Sequence, residues 1–299
     1  MMARLIGAHT IANGGIDMAA IRAAGSGMSA LQIFTTIPKF YGDKASIRPE
    51  RVERFKSALK KTKIKPQHVI AHASYVLNVA TPDEEKWNRA SAGLTKELER
   101  STALGIGSVC FHPGAAPASD VKGGLKRVAT AIKNALKAVG GNTRLLIENT
   151  AGAGQTRGRS AEEIAEILKN VPKALRARTG YGLDTCHLFA SGYDLTKSQK
   201  ALSTILDSFE ETIGEPPSFF HINDSAGGLG SNLDRHQLIG KGQIGQEPFR
   251  WLIKDKRSDN VPLILETPQK LYEISDDDPS PDPYDDEMVR LLKSFERSK

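Results

Sequence analysis

The chain has 299 residues, 39% hydrophobic and 25% charged, which is ordinary for a globular protein able to bury a core in one large α/β domain or two small ones. Cys110 and Cys186 show no CxxC spacing, the start Met1-Met2-Ala3-Arg4-Leu5 lacks a signal-peptide core, and no run reaches membrane-spanning length. These features exclude a disulfide scaffold and a membrane span, and a cytosolic protein is expected. The net charge of +6 hides a more basic body: residues 275–287 carry seven acids and no Lys or Arg, leaving 41 basic against 28 acidic residues elsewhere. That excess fits a polyanionic partner such as nucleic acid.

In chain order, Arg4–His9 reads as a strand, and Gly14-Gly15 opens a helical pattern through Ile21. Ala30–Phe34 is a second strand, followed by a loop marked by Pro38 and Gly42. Val52, Phe55 and Leu59 recur at helical spacing before a third strand, His68–Ala73. A long helix follows, with Thr81 expected as N-cap, Pro82 at its first position, Glu84 completing a capping box and Gly105 as its stop. Strand four, Ser108–His112, stops at Pro113-Gly114, and a helix with apolar positions from 121 to 139 leads to strand five, Arg144–Glu148. A Gly-rich loop, Asn149–Gly158, precedes a helix capped by Ser160 and Glu163.

Strand six ends at Asp184, and a helix through Leu202, Ile205, Leu206 and Phe209 leads to strand seven, Ser218–His221. The connection 222–246 is rich in Gly, Asn and Asp and too long to be passive. A short helix around Phe249 and Trp251, strand eight at Val261–Glu266, the acidic segment and a final helix close the chain. Eight strand-like runs alternating with helical ones predict a single-domain α/β fold, a (β/α)8 TIM barrel, with its site at the C-terminal rim of the strands.

A metal-competent side chain stands where one hydrophobic run after another stops. His72, His112, Glu148, Asp184, His221 and Glu266 occupy such endings; His187 follows Asp184 by three residues, and Asp234 and His236 lie in the long connection. Any one of these residues has a plain structural explanation, as a strand-end turn or a helix cap. Yet five of the seven histidines fall at these positions, and so many titratable groups gathered at one rim require cations to neutralise them. The residues predict a multinuclear metal centre. His9 is expected to stand behind the ligands and His68 to be structural, at the opposite end of the barrel. Cys186 is expected to pack rather than ligate.

The segments His72-Ala73-Ser74-Tyr75, Phe111-His112-Pro113-Gly114, Ile147-Glu148-Asn149-Thr150-Ala151-Gly152, Asp184-Thr185-Cys186-His187, His221-Ile222-Asn223-Asp224-Ser225, Asp234-Arg235-His236 and Leu265-Glu266-Thr267-Pro268 together resemble endonuclease IV, the metal-dependent apurinic/apyrimidinic (AP) endonuclease of base excision repair. The likeness runs from Ile6 to Pro268 in the family's order. It implies three divalent ions, zinc with manganese or iron as substitutes. His72, His112 and Glu148 would hold one; Glu148, Asp184, His221 and Glu266 a second; His187, Asp234 and His236 the third. Glu148, Asp184 and Glu266 would be central to catalysis.

The resemblance further implies hydrolysis 5′ to abasic sites, leaving a 3′-hydroxyl and a 5′-deoxyribose phosphate, with repair of blocked 3′ ends. The partner would be damaged double-stranded DNA, bound by a monomer associated with the nucleoid. Tyr75 matches a family tyrosine that enters the DNA. Where the family often has Asn-x-Arg-x-Trp, this chain reads Ile37-Pro38-Lys39-Phe40-Tyr41, so Lys39 and Tyr41 would replace the stacking pair. Arg157 and Arg235 are expected phosphate contacts, and the acidic segment 275–287 is expected to be a solvated surface stretch away from DNA. The rival is a xylose-isomerase-like sugar isomerase or epimerase, which would use Glu148, Asp184, His221 and Glu266 but leave the other five ligands without a task.

Overall fold

The computed structural model describes residues 4–36, 47–271 and 274–297, so Lys39 and Tyr41 lie outside the described residues. Strands β1 (Leu5–Ala8), β2 (Leu31–Ile33), β3 (Val69–His72), β4 (Ser108–Phe111), β5 (Arg144–Glu148), β6 (Thr179–Asp184) and β7 (Phe220–His221) come first. A small ribbon of β8 (Asp224–Ser225) and β9 (His236–Gln237) precedes the last barrel strand, β10 (Pro262–Leu265). The parallel hydrogen-bonded order β1-β10-β7-β6-β5-β4-β3-β2 is that of an eight-stranded barrel. At the seam between β1 and β2, one isolated bridge pairs His9 with Gln32, and the Ile6 carbonyl accepts from the amides of Ser29 and Ala30.

Helices α1 (Ile16–Gly25), α2 (Pro49–Thr62), α3 (Glu84–Leu104), α4 (Val121–Ala138), α5 (Ala161–Lys169), α7 (Gln199–Ile213), α8 (Glu247–Lys254) and α9 (Pro283–Arg297) cover the outside. Their apolar faces meet the outward side chains of the strands in one continuous core. Two departures from expectation are local. The cap of α3 is Asp83, whose side chain accepts from the Lys86 amide; Thr81 instead accepts from Asp83, so the helix begins a half-turn later than Thr-Pro suggested. A further helix, α6 (Thr185–Ala190), follows β6 without a loop.

The acidic segment is also built in rather than merely solvated. Arg22, fully buried, donates to the carbonyls of Ile11, Asn13, Ser275 and Asp278. Asp282 accepts from the amides of Lys270, Leu271 and Tyr284, and both Asp282 and Asp285 are buried. Asp276, Asp277 and Glu287 face solvent in the way expected, while Asp278 and Asp286 are half-buried.

Inside the barrel Ala30, Ile70, Cys110, Leu146, Phe219 and Ile264 form an apolar plug. Side chains return to the same face of a strand every second residue. Two residues beyond these positions stand Gln32, His72, His112, Glu148, His221 and Glu266. The plug thus acts as a floor, and the next layer up is polar. On β6 the floor position before Asp184 is Gly182, because the ring of Phe219 fills that space and a Cβ there would collide with it. His68, at the opposite mouth, sits in a short 3-10 turn with its Nδ1 3.3 Å from the Ser29 carbonyl.

Replacing Gly182 by Ala should therefore destabilise the protein by about 1–3 kcal/mol through overpacking, as read by the chemical denaturation midpoint of metal-free protein.

Candidate metal centre

Glu148 is the hub of the polar layer. Its Oε2 lies 3.2 Å from both His72 Nε2 and His112 Nε2, and its Oε1 lies 2.9 Å from His221 Nδ1 and 3.3 Å from His187 Nδ1. Glu266 Oε2 comes within 3.2 Å of the same His221 nitrogen. Asp184 reaches toward both His221 and His236, at 3.9 and 3.7 Å. Asp234 Oδ1 lies 3.2 Å from His187 Nε2 and from His236 Nε2. The ligand atoms of Glu148, Asp184, His221 and Glu266 all fall within 4.8 Å of one another, as do those of His187, Asp234 and His236.

The geometry suits cations better than hydrogen bonds. Nε2 of His112, His187 and His236 are buried with no hydrogen-bond partner among the described residues, although each is 3.2 Å from a carboxylate oxygen. The atoms are close, yet the ring N–H does not point along the line between them. Two ligands about 2.0–2.2 Å from a shared tetrahedral ion stand roughly 3.3–3.6 Å apart, which is close to this spacing. The tautomers agree. His72, His187 and His236 turn Nδ1 to the carbonyls of Ala73, Asn149 and Glu266, leaving Nε2 as the metal-facing atom.

Asp184, His187 and Glu266 are held by partners that are themselves buried. Asn149 Oδ1 accepts from the Asp184 amide at 2.6 Å, and Asn223 donates to Asp184 Oδ2 while accepting from the Glu266 amide. Asp184 Oδ1 caps α6 by accepting from the His187 amide at 2.8 Å, so one carboxylate places two ligands. Asp224 accepts from the amides of Gly240, Gly242 and Ile244 and so shapes the loop that carries β9 and His236. Gln32, Asn149, Asn223 and Asp224 were not singled out from the residues alone. Asn149 follows the strand-end ligand directly, which was the available signal; Gln32 lay hidden inside an apolar run.

Without cations, protons compensate the carboxylates. Burial works against charging His72 and His236, but Glu148 raises the first and Asp184 with Asp234 the second, each to about 9. His187 and His221 rise in the same direction despite their burial, through Asp184, Asp234, Glu148 and Glu266. Burial favours a neutral Glu266, yet His221, His72 and His236 acting together hold the carboxyl down at about 2. Glu148 and Asp234 are likewise held below the usual range by the imidazoles around them. His9 is the exception: burial pushes it down to about 4, so it stays neutral beside the cluster. Burial also raises the Cys186 thiol to about 12, and its Sγ donates to the Arg235 carbonyl, so it packs as a thiol.

Above the cluster lies an open cavity of ≈ 400 Å³, bounded by Phe34, Tyr75 and Pro268. Tyr75 is 51% exposed, and Arg235 is exposed between Asp234 and His236. Arg157 is placed differently from the expected phosphate contact. It is buried, donates to the Ala116 carbonyl at 2.6 Å and pairs with Glu163, so its charge is spent on fastening the Gly-rich loop to the barrel.

Relatives agree with this architecture. The sequence model of the xylose isomerase-like TIM barrel family matches residues 20–294. The chain is 37% identical over 265 residues to a probable endonuclease 4 of Protochlamydia amoebophila (strain UWE25), covering 88% of this chain and 92% of that one. It is 35% identical over 299 residues to another from Chlorobium phaeobacteroides (strain BS1), covering 99% of each. Endonuclease IV from Thermus thermophilus superposes with a TM-score of 0.81 at 29% identity, covering 99% of both chains. A D-tagatose 3-epimerase-like protein, with a TM-score of 0.66 at 17% identity over 92% of this chain and 91% of its own, shares the fold alone. Fold and rim together define a xylose isomerase-like TIM barrel with clusters of candidate metal ligands at its C-terminal mouth. Within that class, the chain belongs to the endonuclease IV family.

The pKa shifts fix the pH response of metal-free protein. Histidines raised from 6.5 to about 9 contribute stability below about pH 6.5 that is lost as pH rises through about 9. Glu266, lowered from 4.5 to about 2, contributes stability above about pH 4.5 that is lost in acid. Thermal melts in chelator should therefore be highest between about pH 4.5 and 6.5 and fall toward pH 9, and added zinc should restore the alkaline side.

Proposed function

We propose that the protein is a DNA-repair AP endonuclease that hydrolyses the phosphodiester 5′ to an abasic site, leaving a 3′-hydroxyl and a 5′-deoxyribose phosphate, and that it also clears blocked 3′ ends. Three divalent cations of the zinc type would be held as follows: one by His72, His112 and Glu148; one by Glu148, Asp184, His221 and Glu266; and one by His187, Asp234 and His236. The observation that carries the reading is the convergence of these imidazoles and carboxylates on one barrel mouth, with three buried ring nitrogens that have no hydrogen-bond partner among the described residues. Bound there, the cations supply water activation at neutral pH and charge neutralisation at phosphorus.

The chain's own residues do the rest. Glu148 joins the His72–His112 pair to the Asp184–His221–Glu266 group and would be shared by the cations that the two sets hold. Asn149 and Asn223 keep Asp184 aimed, and the exposed Arg235 offers charge to a phosphate beside the His187 group. Tyr75 stands at the wall of the cavity, where an aromatic ring can take the place of a missing base in the stack. A baseless sugar costs little to extrude from the duplex, so the cavity has room to accept it and little reason to accept an intact nucleotide. The basic body outside 275–287 favours the polyanion.

A sugar isomerase or epimerase needs only the Glu148, Asp184, His221 and Glu266 set. It gives His72, His112, His187, Asp234 and His236 no work, though all five are gathered at the same mouth. Incubation with an abasic duplex and, separately, with ketose sugars distinguishes the two. Nicking that EDTA abolishes is the expected result, and sugar interconversion without nicking would overturn the proposal.

Glu148→Gln should lower nicking by more than about 100-fold, beyond the loss typical of partners behind the ligands. Tyr75→Ala should weaken binding to an abasic duplex by about 1–3 kcal/mol, with metal content unchanged, as measured by fluorescence anisotropy.

A further inference from the structure

His221 breaks the pattern of the other histidines. His72, His187 and His236 turn Nδ1 to a backbone carbonyl and present Nε2 to the carboxylates. His221 presents Nδ1, which faces Glu148 at 2.9 Å and Glu266 at 3.2 Å, and turns Nε2 away. The group it turns toward is the side-chain amide of Gln32, whose Oε1 lies 2.7 Å from His221 Nε2. Both residues are fully buried, so no solvent competes for that nitrogen.

The orientation of the Gln32 amide is determined by its other neighbours. Its Nε2 donates to Glu266 Oε1 and lies 3.1 Å from His9 Nδ1. Reversing the amide would set its oxygen against the Glu266 carboxylate, acceptor facing acceptor, and leave Glu266 Oε1 without that donor. The oxygen must therefore face His221, and an amide oxygen can only accept. His221 Nε2 then has to carry the hydrogen, which leaves Nδ1 as the nitrogen free to ligate.

We propose that Gln32 is the positioning residue of the buried metal site. Its amide fixes His221 as the Nε2–H tautomer and so selects Nδ1 as ligand, while its NH2 group restrains the Glu266 carboxylate and ties both to His9 across the β1–β2 seam. The backbone supports the assignment: His9 and Gln32 are the bridged pair at that seam, so the amide sits where the barrel closes and touches ligands from β7 and the end of β10. The inference rests on the metal-centre part of the proposed function and not on the DNA chemistry.

The test uses full-length protein stripped with chelator and reloaded with zinc. Long-range ¹⁵N–¹H spectra of histidine-labelled protein, with His221→Asn supplying the assignment, should show His221 protonated at Nε2 and ligating through Nδ1. Gln32→Met keeps the volume and removes both hydrogen-bonding functions. It should weaken one zinc equivalent by about 10–100-fold in competition with a chromogenic chelator while the other equivalents keep their affinity. Gln32→Glu keeps an oxygen toward His221 and should keep the Nε2–H signal. The proposal is overturned by a wild-type His221 that ligates through Nε2, a reading that needs no variant. It is also overturned by Gln32→Met protein with unchanged zinc affinities, or by wild-type protein that binds no zinc. Nicking of abasic DNA is scored separately, so zinc binding without nicking would remove the endonuclease reading and leave this one standing.

Discussion

A carboxylate with no exposed surface must be neutralised by something, and Glu148 is such a carboxylate, ringed by four imidazoles. This requirement organises the mouth of the barrel. Protons on the histidines can meet it, and cations held by these imidazoles and carboxylates would meet it as well, since deprotonated rings are metal ligands. The apolar floor of Ile70, Cys110, Leu146, Phe219 and Ile264 makes the requirement strict by keeping water out from below. Stability and chemistry are thus coupled in one layer of side chains, two residues above the floor on each strand.

The strand ends were legible in the sequence because a buried parallel strand is an unbroken apolar run, and a His, Asp or Glu at its end stands out. Barrel order followed from alternation alone, and the rim location of the ligands followed from barrel order. What stayed hidden depended on partners far away in the chain. Gln32 reads as one polar residue in the run Ala30–Phe34, and its meaning comes from His221 and Glu266, about two hundred residues later. Arg157 looked like a free cation on a Gly-rich loop, but Glu163 and the Ala116 carbonyl turn it inward. Helix α6 has six residues, too few to show a period.

The acidic stretch shows the same limit. Composition marks 275–287 as a solvated run of charge, and part of it is. Yet Asp282 and Asp285 are buried, and the backbone of Ser275 and Asp278 is captured by Arg22 from α1. Burial and Asp282 raise the Asp285 carboxyl to about 7, so two neighbouring acids need not both be charged. Side-chain charge counts cannot reveal a segment whose attachment runs through backbone carbonyls.

Strand β1 has its continuous partner in β10, near the far end of the chain, and meets β2 through little more than one bridge. The ring cannot close during translation until β10 has left the ribosome, because the first staves wait for the last one. Glu266 arrives with that final stave, so until then the cup lacks one wall of the Glu148, Asp184, His221 and Glu266 cluster. A cation that needs Glu266 together with Glu148, Asp184 and His221 would have to wait for that closure, so the closing of the polypeptide circle would also be the step that arms the site.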